Sequence, residues 1–364
     1  MNNLSIEDER LLRSYYDRYG GYWRFPEVLD YCYLVNPYFN QSGIIKEMQD
    51  FFPVLVSQYP SGMNVNASLA AQCWNVKSDY IVVGNGAAEL IKAVIESVEG
   101  TVGIVRPTFE EYPNRLDQGR AVTFIPDNDM FRYNENDLIN YFTDHKIDTL
   151  LLINPDNPSG NFIPVEGIHK LAGWCKANDV KFILDESFVD FSVGFENNTF
   201  VNNKILEMYP TMTVIKSISK SYGVPGLRLG IMCSSDISMI SRIKKKVSIW
   251  NINSFAEYFM QIYPKYLNEY KCACEKLIEA REEFENELKK VPYIKVMPSQ
   301  ANYFFIEVLP PYTANELCAI LLKKYNILCS ACLAKKGIEA NRYMRIAVRS
   351  HADNRKFIEA INKL

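Results

Sequence analysis

The chain has 364 residues, of which 48% are apolar and 23% charged, and its formal net charge is −3. That length exceeds what one hydrophobic core usually serves, so two domains are expected in a soluble globular protein. The charge is small and mixed in sign, with no basic stripe interleaved with aromatics, which argues against nucleic acid and polyanionic membrane surfaces as partners.

Taken in chain order, the opening MNNLSIEDERLL is acidic where a secretory signal would be basic and then apolar. No apolar run reaches the length of a membrane span, and a cytoplasmic location is expected. From residue 80 onward, short β-branched runs alternate with amphipathic helical stretches: YIVVG (80–84), TVGIV (101–105), AVTFI (121–125), TLLLI (149–153), KFILD (181–185), MTVIK (212–216) and LRLGIM (227–232). Runs apolar on both faces and separated by helices predict an α/β fold with a mostly parallel central sheet flanked by helices. A charged helical stretch near 264–290 reads as a connector, and the chain beyond it as a smaller α+β domain. The expected organisation is an N-terminal arm with part of the small domain over 1–45, a large domain over 46–265, and a small C-terminal domain over 266–364.

Nine scattered cysteines read as free thiols in a reducing compartment. The close pairs Cys272/Cys274 and Cys329/Cys332 lack the flanking ligands zinc requires. The three histidines, His145, His169 and His351, fall into no metal or triad arrangement. No metal site is expected.

Ligands of parallel sheets gather at the carboxyl ends of the strands. Polar clusters follow several of the apolar runs: GNGAAE (84–89), RPTFEEY (106–112), NPDNPSG (154–160) and DESF (185–188). The segment SISKSYGVPGLRLG (217–230) places Lys220 in a serine- and glycine-rich turn after a strand. Desolvation there lowers an amine's pKa and makes it a usable nucleophile. Arg228 is suited to a bidentate pair with a phosphate, with Ser217 and Ser219 as hydroxyl donors. Gly223, Gly226 and Gly230 permit tight turns and close approach. Singly, each feature has an ordinary reading: a surface lysine, an Asn-Pro turn, a helix start at Asp-Glu. The weight lies in six of them in one order.

SxSKxxGxxGxRxG resembles the cofactor-lysine signature of fold-type I pyridoxal-phosphate (PLP) enzymes, the class I/II aminotransferases, and the other motifs match in the same order over nearly the whole chain. The resemblance implies that Lys220 holds PLP as a Schiff base. It implies further that the N–H groups of Ala87 and Ala88 meet the phosphate and that Phe109 stacks on the pyridine. Asn157 would donate to the phenolic oxygen, and Asp185 would pair with the pyridinium nitrogen. In YMRIAVR (343–349), Arg345 matches the arginine that binds a substrate carboxylate. Tyr59, in a QYP turn, matches a tyrosine that reaches the neighbouring subunit's phosphate, so a homodimer with shared sites is implied.

Within that superfamily the chain is similar to histidinol-phosphate aminotransferases and threonine-phosphate decarboxylases, the latter through PTFEEY, DESFVDF and MRIAVRSHADNRKFIEAI. It departs from them at the substrate side. Tyr19 stands where the decarboxylases' His-Gly-Gly-Asn opening has its histidine, and Leu34 replaces the first asparagine of Asn-x-Asn-Pro. Phe188 occupies the place of a tyrosine whose hydroxyl bonds the phenolic oxygen. The loop ILCSACLAKKG (327–337) lacks an arginine common in phosphate-substrate members. Lys335 and Lys336 are candidate replacements, although adjacent lysines are more often a solvated turn. The aromatics Tyr15, Tyr16, Tyr19, Tyr22 and Trp23 either close over the site or pack the arm onto a partner subunit, with packing favoured.

The leading functional expectation is a transaminase that moves an amino group between a small phosphate-, phosphonate- or carboxylate-bearing amine and a keto acid. Lys220 would serve as the proton carrier and Arg345 would hold the carboxylate in the cofactor plane. The alternative is decarboxylation of an amino-acid phosphate, with the carboxylate turned out of that plane. A non-catalytic PLP-sensing regulator ranks last: such proteins carry a DNA-binding module, for which the chain offers neither room before its first motifs nor a basic helix pair.

Overall fold

The computed structural model describes residues 5–39, 42–332 and 335–364. Among the described residues thirteen strands are formed: β1 (Leu29–Asp30), β2 (Ile81–Asn85), β3 (Val102–Val105), β4 (Ala121–Phe124), β5 (Thr149–Ile153), β6 (Lys181–Asp185), β7 (Met212–Ser217), β8 (Leu229–Cys233), β9 (Ile294–Val296), β10 (Tyr303–Val308), β11 (Ile327–Leu328), β12 (Ser330–Ala331) and β13 (Tyr343–Ala347). Seven of them build one sheet in the order β2-β8-β7-β6-β5-β3-β4. Side chains alternate between its two faces. Leu150 and Leu152 enter one hydrophobic core, while Leu151 and Ile153 enter another on the opposite side. Burial on both faces is why β5 reads as an unbroken apolar run.

The sheet is parallel from β4 through β7, but β8 runs antiparallel to both β7 and β2. The reason is local. Only residues 218–228 separate β7 from β8, too few for the crossover that a parallel pair needs. Part of that stretch is spent on the turn that presents Lys220. The apolar run expected from 227 begins as a strand only at Leu229, because Pro225–Leu227 forms a 3-10 turn and Arg228 is left-handed, with φ +55°.

A second core lies around the four-stranded sheet β12-β13-β10-β9. It takes in Leu12, Tyr22, Tyr31 and Leu34 from the N-terminal chain, and Phe188 and Phe191 from the loop after β6. β1 and β11 pair in parallel and tie that N-terminal chain to the unit. The charged stretch expected near 264–290 is a helix over Leu267–Leu288. Its first half sends Tyr270, Ala273 and Cys274 into the large core, and its second half sends Leu277, Ala280, Phe284 and Leu288 into the smaller one. On it, the buried Arg281 donates to the carbonyls of Phe191, in the loop after β6, and Ala301, both residues of the smaller core. Among the described residues, no helix is long and apolar enough to cross a membrane. All nine cysteines are free, and no cluster of His, Cys, Asp and Glu among the described residues could hold a metal ion.

Candidate active site

The carboxyl ends of β2, β3, β5, β6 and β7 converge on one region. β2 ends at Asn85 and the helix Gly86–Ile95 starts at once. The Asn85 side chain does not cap that helix, so first-turn N–H groups, including those of Ala87 and Ala88, are open to an outside anion. Gly86 is left-handed at φ +73°, and a Cβ there would lie 2.5 Å from Arg228 Nη2. Likewise a Cβ at Gly230 would lie 2.4 Å from the Ala87 nitrogen. Both glycines therefore let the Lys220–Arg228 loop close against the helix start, and Gly86 N–H bonds the Arg228 carbonyl at 2.8 Å. Ser219 Oγ is buried with no hydrogen-bond partner among the described residues. Ser217 closes β7, its N–H held by Ser187 Oγ at 3.0 Å.

Lys220 stands on the short turn Ile218–Ser221 that follows. Its Nζ is 3.8 Å from the centre of the Phe188 ring and 5.9 Å from that of Phe109. Burial lowers the pKa of this amine to about 8, with Asp185 opposing the shift and Arg345 adding to it. Asp185, the last residue of β6, is buried and held at both oxygens: Tyr112 donates to Oδ2 at 2.7 Å and the Ser187 N–H to Oδ1 at 2.8 Å. Two hydrogen bonds leave this carboxylate no freedom to rotate.

Asn157 lies buried in the turn beyond β5, and its Oδ1 accepts from Arg345 Nη1 at 2.9 Å. An arginine can only donate, so this contact assigns the amide and leaves Nδ2 as the donor facing the other way. Arg345 reaches there from the middle of β13, with Nη2 bonded to the Cys32 carbonyl at 2.8 Å. Its Nε is buried without a partner among the described residues, and its Cζ lies 5.5 Å from the centre of the Tyr303 ring. Tyr303 in turn donates to the Asp156 carbonyl at 2.5 Å.

The adjacent lysines part company. Lys336 is exposed, but Lys335 Nζ turns inward and donates to the Thr108 carbonyl at 2.5 Å, next to Phe109. Its pKa is pushed down, by burial first and by Arg345 as well. The solvated-turn expectation thus fails for Lys335 and fits Lys336. The two residues before it, Leu333 and Ala334, lie outside the described residues. Phe188 packs edge-on against Tyr303 at 5.0 Å while facing the lysine amine. Of the arm's aromatics, Tyr22 is buried and Tyr15 and Tyr16 pack on the small unit, whereas Tyr19 and Trp23 are 88% and 78% exposed within the single chain. Tyr59 is not brought to the others: it is 79% exposed and packs at a tilt against Trp250, with ring centres 4.6 Å apart.

Sequence reasoning missed Tyr112, Tyr303 and the Cys32 carbonyl. Tyr112 closes the very motif from which Phe109 was chosen, and its position was the one available signal. The residues present fit PLP. An orphaned buried hydroxyl, a glycine cradle at a helix start, an arginine and a desolvated lysine offer an anion site and an amine, with a clamped carboxylate beside them.

The chain is similar along nearly its whole length to known proteins. An L-serine phosphate decarboxylase of Campylobacter jejuni is 30% identical over 355 residues, covering 93% of this chain and 90% of that protein. The CMP-5'-(3-aminopropyl)phosphonate synthase of Streptomyces rubellomurinus is 29% identical over 98% of this chain, which spans only 56% of that relative's length. The solved structure of a decarboxylase from Sulfurospirillum multivorans superposes with a TM-score of 0.84 at 28% identity, over 94% of this chain and 90% of that one. Residues 54–361 match the model of aminotransferase class I and II, and with that match the chain belongs to this PLP-dependent family.

Proposed function

We propose that this chain decarboxylates a small α-amino acid that carries a second anionic group, a phosphate ester or a phosphonate. The observation that carries the proposal is the inward Lys335, a second cation near Arg345. Burial is the main reason its amine is less basic, but the two like charges also oppose each other, and an anionic ligand held by both would relieve that opposition. Likeness to an L-serine phosphate decarboxylase over both chains supports the same substrate class and favours loss of CO₂.

PLP, when bound, supplies an electron sink conjugated to the substrate carbon that bears nitrogen. Lys220 would hold the cofactor through Nζ and, when freed, would move a proton at that carbon. Its reduced basicity keeps a usable fraction neutral near pH 8. Asp185, clamped by Tyr112 and Ser187, would keep positive charge on the ring nitrogen. Asn157 Nδ2 would donate to the phenolic oxygen, Phe109 would cover one ring face, and Ala87, Ala88, Ser217, Ser219 and Arg228 would receive the phosphate. Arg345 and Lys335 divide the two substrate anions between them. Which of the two cations would hold the carboxylate would set which bond at that carbon breaks.

Transamination is the second reading, and one contact favours it. Arg345 is tied to Asn157, the residue that would meet the cofactor's phenolic oxygen. A carboxylate held by Arg345 there would be kept from leaving, and the C–H bond would be the one to break. The enzyme is further proposed to act as a homodimer in which Tyr59 reaches the neighbour's phosphate. The exposed apolar side chains Phe51, Phe52, Val54, Val56, Ile249 and Trp250 on the Tyr59 side of the molecule support a second copy there.

The test is product analysis of the holoenzyme with O-phospho-L-serine, O-phospho-L-threonine and α-amino acids bearing a phosphonate. Release of CO₂ with the matching amine is expected. A keto product without CO₂ would transfer the conclusion to transamination, and no turnover of any of them would remove the anionic substrate class.

A further inference from the structure

We propose that Trp250 is the positioning residue for Tyr59, and that the Trp250–Asn253 turn ties the phosphate cradle of one protomer to the tyrosine it lends its neighbour. The inference rests on the reading that Tyr59 reaches a neighbour's cofactor phosphate.

A tyrosine that is 79% exposed has free rotamers, and ordering it at a distant phosphate costs side-chain entropy unless something holds the ring beforehand. Trp250 does so: the two rings lie 4.6 Å apart between centres at 32°. Trp250 is itself unusual. Its backbone is left-handed, with φ +51°, a conformation that bulky side chains rarely adopt. Core packing does not account for this, since the residue is 46% exposed.

What holds the turn is a set of polar bolts. Asn251 Nδ2 donates to the Val83 carbonyl on β2 at 3.0 Å and to Glu89 Oε2 at 2.8 Å. The same Glu89 oxygen accepts the N–H of Asn85, the residue that opens the phosphate helix, at 2.7 Å. Two residues further on, Asn253 Nδ2 donates to the Leu227 carbonyl at 2.9 Å, in the loop that carries Arg228. Its Oδ1 caps the helix Ser254–Ile262 through the Ala256 N–H at 2.9 Å. The turn is therefore fastened to both phosphate-binding loops of its own protomer. Strain maintained by surrounding structure is a mark of function, and the side chain it presents is a flat indole under Tyr59.

The experiment separates ring from backbone. Trp250→Gly removes the indole and keeps a residue at ease in the left-handed region, while Trp250→Phe keeps an aromatic shelf. PLP dissociation from each holoenzyme is followed by loss of visible absorbance on dilution, with the dimer fraction measured in parallel by sedimentation. Tyr59→Phe should weaken PLP retention about tenfold, the effect of losing one hydrogen bond to a charged group. Trp250→Gly should match it within about threefold, Trp250→Phe should recover most of the loss, and the double variant Tyr59→Phe/Trp250→Gly should be no weaker than either single one. Wild-type retention in Trp250→Gly alongside weakened Tyr59→Phe would overturn the positioning role and leave the Tyr59 reading intact. Multiplying losses in the double variant would overturn it too, because Trp250 would then act by another route. So would a loss in Trp250→Gly that vanishes at protein concentrations restoring the dimer, which would make Trp250 only an interface side chain. Unchanged retention in Tyr59→Phe would remove the Tyr59 reading itself, and the inference with it.

Discussion

The cofactor cradle and the substrate rim are built from different materials. In the cradle the residue type is fixed at each contact: Tyr112 donates to Asp185, Glu89 accepts the Asn85 N–H, and Gly86 and Gly230 leave no room for a methyl group. At the rim, the cations lean partly on main-chain carbonyls, Arg345 on Cys32 and Lys335 on Thr108. A carbonyl accepts from whatever donor is placed before it and makes no demand on residue type. The cradle therefore ties each residue to a named partner, whereas the rim can exchange an arginine for a lysine without rebuilding its neighbours. Apart from Phe188, departures from the family pattern fall where structure imposes least.

The largest effect that would break this contrast belongs to Lys220. Lys220→Ala should lower turnover by at least about 10³-fold, the scale of a lost acid–base group, and borohydride should no longer fix a pyridoxyl group to the chain. Labelling of another lysine would move the centre of the cradle. Next comes Lys335→Ala, which should raise KM for a phosphorylated amino acid roughly tenfold to a hundredfold and leave PLP retention unchanged, because one charged contact to substrate is lost. Loss of PLP in that variant would erase the boundary between cradle and rim. A third effect follows from burial of the lysine. The neutral amine is the form that captures the cofactor, so PLP uptake by apoenzyme should rise as pH climbs through about 8 and level off above it. Below that point the rate should fall about tenfold per unit. Stopped-flow absorbance across that range tests it, and a profile flat down to pH 6 would contradict the desolvation.

The smallest effect concerns Phe188, the one rim-type departure inside the cradle. Without a hydroxyl there, Asn157 is the main donor proposed for the phenolic oxygen. Phe188→Tyr should lower the midpoint of the holoenzyme's visible-absorbance titration by about one unit. Superimposed curves from two folded, PLP-loaded proteins would reduce Phe188 to a packing residue against Tyr303.

Much of the cradle could be read from the chain because its strands are runs apolar on both faces, and several of those runs end in a polar cluster. The strands at 149–153 and 181–185 coincide with their runs. What escaped was what the sequence has no symbol for. The antiparallel β8 depends on a loop too short to cross over, and a run of apolar residues looks the same in either direction. The Arg345–Cys32 contact uses a carbonyl that every residue possesses. Tyr112 is one of 23 tyrosines, and only the path of the chain after β3 turns its hydroxyl toward Asp185. Lys335 reads as half of a solvated pair until the fold turns it inward.

The helix Leu267–Leu288 has a consequence for how the molecule comes apart. One half is rooted in each hydrophobic core, and Arg281, in the second half, joins the loop after β6 to the small unit through the carbonyls of Phe191 and Ala301. A cation deprived of acceptors in an apolar interior is strongly unfavourable, which opposes separation of that loop, and of the large sheet it extends from, from the small unit. Heat should therefore unfold both parts in one cooperative transition. Arg281→Met would weaken that bond, and calorimetry should then resolve the melting into two separate steps.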